Sequence, residues 1–426
     1  MIKYNPEKVI LDYGQTGLEL VLDQSIADWV VIEPEEISPS KGFDELFDKS
    51  VENPIQSQAL SQVVSPDDKV VIVTSDSARP VPNRLLIPAI IKKCLLTPEN
   101  VTVLIGAGSH RPPSRDELAQ FLGHEIVETC HVINHDARDT QKLKLLGFTP
   151  GGIPVNINRT YIKADKKIVI GFIEPHFFAG FSGGPKGICP AIMGLDTIDA
   201  FHSFQIIGDP NSDYGILDGN PQYLAACDVV SLAPPDFLIN VVLNARKEII
   251  SVYSGNYIEA HRRGAQEAAK MSVVPIGRKF PIVITTNSGY PLDQNLYQTT
   301  KGIWTAARIV EEGGSIVVAS ECSRGIPDDG NFTRLMSAHS SPDELLSLFS
   351  EKTNHTMDRW QAQKLAMALK KAKIYIYTSL DKRQAERCKM KKIDNLLATL
   401  SKLVASLQEK PTIAVLPHGP VTIPVC

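Results

Sequence analysis

No apolar stretch in this chain approaches the eighteen or so residues that would carry a helix across a bilayer, so no membrane span is expected. Excess charge is also missing. The 44 Lys and Arg stand against 48 Asp and Glu, dispersed along the chain with a net charge of -4, which gives no basic field for nucleic acid. The seven cysteines (94, 130, 189, 227, 322, 388 and 426) are odd in number and contain no Cys-x-x-Cys pair, which argues against a disulfide framework and a structural zinc and for reduced thiols. No carboxylate-rich cluster supports a simple metal hydrolase. There is no repeat of fixed period and no low-complexity tract. The N-terminal stretch mixes charge into every short apolar run, and we expect a cytoplasmic protein.

What is present is 426 residues with 43% apolar content, enough for two buried cores. The pattern predicts two α/β domains with mostly parallel sheets: residues 1–270, the N-terminal domain, and residues 271–426, with Met271 to Lys279 as linker. Val9 to Leu11 and Leu18 to Leu22 flank a turn and predict an N-terminal hairpin. Lys69 to Thr74 and Val101 to Ile105 are continuous β-branched runs, each followed by a helical pattern, as in βα units. Phe237 to Leu243 and Glu248 to Tyr253 read as antiparallel strands. Runs at 281–285, 315–319, 374–377 and 412–416 read as strands of the second domain, with helices at 300–311, 342–350, 358–371 and 393–408.

Ligands of open parallel sheets bind beyond the carboxyl ends of the strands. Asp76 and Arg79 leave one such end, His110 a second and His176 a third, so a cleft on that edge is expected. The most concentrated stretch is Gly171 to Lys186, GFIEPHFFAGFSGGPK, which continues to His202. Gly183 and Gly184 let the backbone approach a ligand and expose amides to an anion, and Lys186 follows them directly. Taken singly, a Gly-Gly turn, a lysine and a histidine are ordinary structural residues; their convergence in one segment marks a site. Gly106-x-Gly108 lacks the third glycine of a dinucleotide fingerprint. In the second domain, Ser288 to Lys301 is a polar loop with Lys301 expected at the start of a helix, where N-capping is the competing explanation.

The set Asp76-x-x-Arg79-Pro80, Gly108-Ser109-His110-Arg111, Glu174-Pro175-His176 with Gly180-Phe181-Ser182-Gly183-Gly184-x-Lys186, His202, and Pro291 to Gln298 with Lys301 resembles the nickel-pincer lactate racemases, in order and over nearly the whole chain. The resemblance implies a cofactor of nickel and pyridinium-3-thioamide-5-thiocarboxylic acid mononucleotide, covalently attached at Lys186, with His202 as the protein's nickel ligand. Asp76, Gly183 and Gly184 would contribute to cofactor binding and the order of the pocket. His110 and His176 would be the catalytic acid/base pair. Arg79, Tyr297, Gln298, Lys301 and Trp360 would bind substrate, although a tryptophan in that helix is otherwise simplest as core. Enzymes that build the cofactor are implied partners, a short 2-hydroxy acid is the implied substrate, and the active site would lie in the interdomain cleft. Relatives commonly carry Thr where this chain has Ala78, and Pro185 restricts the turn before Lys186.

This chemistry suits the residue types. The C–H bond beside a carboxylate is a poor acid, and proton-coupled hydride transfer to the cofactor would avoid the carbanion. The resulting planar 2-oxo acid can be reduced on either face. Two histidines from different loops supply a base for each enantiomer, and Arg79 offers a planar fork for the carboxylate. Lactate is the expected substrate. Another 2-hydroxy acid, a Lys186 Schiff-base enzyme with an aldehyde cofactor such as pyridoxal phosphate, and a binding protein without turnover are the alternatives.

Overall fold

The computed structural model describes residues 1–77, 79–327, 331–351 and 356–426; the Ala78 departure lies outside the described residues. The chain folds as two compact units, one of Glu36–Ser203 with Asn211–Ala269, the other of Met1–Glu35, Phe204–Pro210 and Lys270–Cys426.

In the first unit the expected βα runs become β1 (Val70–Ser75) and β2 (Val101–Gly106), followed by β3 (His131–Asn134), β4 (Lys166–Ile173), β5 (Phe237–Leu243) and β6 (Ile249–Gly255). They form one sheet in the order β6-β5-β4-β1-β2-β3. Every pair is parallel except β5 with β6, the hairpin expected from sequence. Helices on the faces explain the unbroken apolar runs, because the inner strands are covered on both sides: Val70 to Val73 and Phe237 to Val242 are all buried. The order sets β4, β1 and β2 side by side, so the chain leaving them carries Glu174 and His176, Asp76 and Arg79, and His110 to one edge of the sheet.

The second unit holds a seven-stranded sheet in which Phe280–Thr286, Val310–Ala319, Lys373–Tyr377, Lys391–Ile393 and Thr412–Leu416 are joined by Asp28–Ile32 and Ile2–Tyr4. Residues 1–35, expected in the N-terminal domain, pack here because Asp28–Ile32 pairs parallel with Thr412–Leu416. The N-terminal hairpin forms from Lys8–Leu11 and Leu18–Val21. The expected linker contains a strand, Val273–Pro275, held parallel to Ile423–Val425. The helix expected at 300–311 runs from Leu296 to Ala307, because the Asn295 side chain caps it by accepting from the Gln298 N–H at 3.0 Å. Lys301 therefore sits in the second turn of that helix rather than at its start.

Candidate active site

Asp76 follows β1, and its half-buried carboxylate accepts from Nδ1 of His110 at 2.9 Å. A carboxylate cannot donate to a neutral ring nitrogen, so the bond fixes the proton on Nδ1 and leaves the Nε2 lone pair as proton acceptor. Asp76, expected around the cofactor, is thus engaged in orienting the His110 ring. Gly108 ties the His110 loop down through its N–H to the Ala191 carbonyl at 2.9 Å.

His176 is held the other way round. It lies at the start of a short antiparallel turn, Pro175–His176 against Gly180–Phe181, and its ring is 8% exposed. Nδ1 accepts from the backbone N–H groups of Phe178 at 3.2 Å and Ala179 at 3.3 Å. The proton of the neutral ring therefore sits on Nε2, and His176 is set as a donor where His110 is set as an acceptor.

Lys186 occupies a single 3-10 turn, Gly184–Gly187. Its Nζ lies 5.6 Å from the ring centroid of Phe201. The next residue, His202, terminates the helix Leu195–Phe201 and is 7% exposed. Nδ1 of His202 donates to the Ile198 carbonyl at 2.7 Å, which makes Nε2 the unprotonated nitrogen, the form in which imidazole binds metal. Aromatic contacts connect these groups: His202 to Phe178 at 6.3 Å between centroids, and Phe178 to His176 at 5.8 Å. Lys186, His202 and His176, distant in sequence by up to 26 positions, thus border one aromatic cluster.

Two buried residues that the sequence reading missed shape the lysine turn. Gly183 adopts φ 81° and ψ -165°, a region open only to glycine, and Gly184 has φ +54°. A Cβ on Gly183 would meet Asn240 Oδ1 at 2.6 Å, and one on Gly184 would meet His261 Cγ at 2.4 Å. The Gly184 N–H donates to Asn240 Oδ1 at 2.8 Å, so that amide is engaged inside the protein. His261 Nε2 donates to the Ser182 carbonyl at 2.9 Å, and burial depresses its pKa to about 4, keeping it neutral. The available signal for Asn240 was a single amide in the middle of the apolar run FLINVVL.

Arg79, expected to meet a substrate carboxylate, forms a half-buried ion pair with Glu174, Nη1 to Oε1 at 2.7 Å. In the second unit, Tyr297, Gln298 and Lys301 share the helix Leu296–Ala307 at spacings of three and four that put Lys301 beside both others. Trp360 Nε1 donates to the Tyr297 hydroxyl at 3.2 Å. Burial, and then the Asp358 carboxylate, raise the pKa of the Tyr297 hydroxyl far above the ordinary phenol value, so it stays protonated. Gln298 Oε1 is buried without a hydrogen-bond partner among the described residues. Such an orphaned acceptor suits a hydroxyl donor from a ligand.

The chain is an isomerase of the racemase type. The chain is a member of the lactate racemase family: residues 13–215 match the lactate racemase N-terminal domain and residues 277–424 the lactate racemase C-terminal domain. It is 32% identical to the lactate racemase of Thermoanaerobacterium thermosaccharolyticum over 380 residues, covering 88% of this chain and 87% of that one. It is 34% identical to the lactate racemase of Lactiplantibacillus plantarum over 329 residues, covering 76% of this chain and 77% of that protein. The solved lactate racemase apoprotein from T. thermosaccharolyticum superposes with a TM-score of 0.91 at 30% identity, over 98% of this chain and 99% of the other. A Thermotoga maritima protein, 17% identical with a TM-score of 0.66 over 86% of this chain and 96% of its own, shares the fold.

Proposed function

We propose that this chain interconverts the D and L forms of lactate, with the nickel pincer nucleotide attached at Lys186. The observation that carries the reading is the convergence of Lys186, the Nε2-presenting His202 and His176 on the Phe178 and Phe201 rings. These residues fit the group: Lys186 offers the amine for attachment, and His202 offers one imidazole, a donor class that suits nickel. Among the described residues no group of three or more His, Cys, Asp or Glu could hold a metal, so further donors for a nickel at His202 would come from the cofactor. Gly183 and Gly184 give the turn that presents Lys186. When bound, the group supplies reversible hydride acceptance at the substrate's C–H.

The protein's own part is to hold the substrate and move a proton. Arg79 holds the carboxylate, and Lys301, Gln298, Tyr297 and Trp360 are the substrate-binding residues contributed by the second unit, with the Gln298 amide N–H offered to the hydroxyl oxygen. His110 takes the hydroxyl proton at Nε2 while Asp76 stabilises the imidazolium. For the opposite enantiomer His176 takes that part, which requires Nδ1 to exchange its two backbone contacts for a proton.

Sequence similarity to the two lactate racemases supports lactate as substrate. All seven cysteines are unpaired, and no described helix is long and apolar enough to cross a membrane; the free thiols support a reducing, cytoplasmic setting. The test is mass spectrometry of the Lys186 peptide and metal analysis on protein produced together with cofactor-building enzymes, alongside chiral assay of lactate. The expected result is a phosphorus- and sulfur-containing adduct on Lys186 with about one nickel per chain, as a single protein ligand requires. Active protein with unmodified Lys186 would remove the mechanism. Adduct without turnover of lactate would move the substrate to another 2-hydroxy acid.

A further inference from the structure

We infer that Glu174 is a positioning residue that aims Arg79 and sets the strength of the carboxylate site, an inference that rests on the proposed role of Arg79. The two side chains meet at 2.7 Å with 30% and 28% exposure, between the exits of the neighbouring parallel strands β1 and β4. Both partners are anchored through their backbones. Glu174 is pinned on both sides of its backbone: its N–H donates to Ser182 Oγ at 3.0 Å, and its carbonyl accepts from the Ser182 N–H at 2.9 Å. Ser182 Oγ in turn donates to the Phe172 carbonyl at 2.9 Å, and the Ser182 carbonyl receives His261 Nε2. Arg79 sits in the exit loop of β1, where its N–H reaches the Asp76 carbonyl at 3.2 Å and its carbonyl accepts from the Val81 N–H at 2.9 Å. Glu174, tied through Ser182 to the exit of β4, thus holds one end of the guanidinium that the exit loop of β1 delivers.

The contact engages Nη1, one end of the guanidinium fork, and leaves another edge for a second carboxylate. Two consequences of opposite sign follow. Holding the fork at one angle favours a substrate carboxylate by reducing the ordering it must impose. Placing a permanent negative charge on the same guanidinium weakens the attraction for that carboxylate. Such a site binds a monoanion with defined orientation and modest affinity, and releases its product readily.

The two effects separate by substitution. Glu174→Gln keeps an acceptor oxygen and removes the charge, so KM for lactate is expected to fall about three- to tenfold, the scale of one half-exposed charge interaction. Glu174→Ala removes both, freeing Arg79, and KM is expected to rise about tenfold with a fall in kcat as the substrate is held less well. Both enantiomers are assayed on loaded enzyme, with Arg79→Ala as reference and unfolding midpoints of each variant measured. A purely structural ion pair would shift the midpoints of the Gln and Ala variants together and leave both KM values within twofold of the parent. That outcome, with Arg79→Ala still raising KM, overturns the role of Glu174 and leaves the function standing. If Arg79→Ala leaves KM unchanged, the carboxylate role of Arg79 fails and this inference fails with it.

Discussion

Gly184→Ala tests whether the lysine-bearing turn is shaped from behind by packing. Gly184 has φ +54°, and placing an L-residue in that region costs about 1–2 kcal/mol. The added Cβ would also come within 2.4 Å of His261 Cγ and 2.7 Å of Nδ1. That ring is fully buried, lies against Tyr223 with centroids 5.6 Å apart, and is held at Nε2 by the Ser182 carbonyl, so it cannot withdraw without losing its hydrogen bond. Overpacking of this kind costs about 1–3 kcal/mol, which brings the sum to about 2–5 kcal/mol. Gly152→Ala is the matched control: its φ is +81°, yet nothing lies within 4 Å of its added Cβ, so only the backbone strain remains. Denaturant unfolding of the unloaded protein, followed by circular dichroism, should place Gly184→Ala about 1–3 kcal/mol below Gly152→Ala. Because Lys186 lies two residues on, cofactor attachment measured by mass spectrometry should fall in the first variant and not in the second. Equal stability of the two variants, within about 0.5 kcal/mol, would refute the packing argument.

Asp76→Asn should lower kcat about a hundredfold or more for racemisation, because an amide neither fixes the His110 tautomer nor stabilises its imidazolium; an unchanged kcat in steady-state assays would deny His110 its role as base. Gln298→Leu should raise KM about tenfold, the value of one hydrogen bond, while stabilising the ligand-free protein by about 1 kcal/mol because a buried acceptor without a partner disappears; loss of stability on denaturation would show that Oε1 is satisfied after all. His261 titrates at about 4 in the folded protein against an ordinary 6.5, so its contribution is present above pH 6.5 and is lost as pH falls through 4. The full difference is about 3 kcal/mol. His261→Gln should therefore flatten the acid limb of the stability profile between pH 6.5 and 4, and an equally steep limb would contradict the burial argument.

Runs such as Val70 to Val73 specify strands without reference to anything distant, since β-branched apolar residues bounded by polar exits have no better local solution. The Lys186 turn was readable as a turn for a local reason too: two adjacent glycines permit φ > 0, and the proline that follows fixes its own φ. His110, His176, Lys186 and His202 stood out in the sequence as candidates by their convergence with flexible glycines and strand exits. Helix starts were less legible. Asn295 was read within a loop, although its side chain begins the helix that carries Gln298 and Lys301.

The sequence by itself thus determined the kinds of elements and their order, and marked the candidate reactive groups. Only the tertiary structure decided that Met1–Glu35 joins the sheet of the C-terminal residues, because the pairing of Trp29 with Ile413 links positions nearly the full chain apart. It also decided which nitrogen each histidine presents. The Asp76 carboxylate, the Phe178 and Ala179 amides and the Ile198 carbonyl each impose a tautomer through a hydrogen bond. Periodicity carries no record of such bonds, since they depend on which loops a shared sheet edge brings together. Asn240 and His261 behind the glycines, and Glu174 beside Arg79, belong to the same class: contacts across 56 to 95 positions, fixed by strand order.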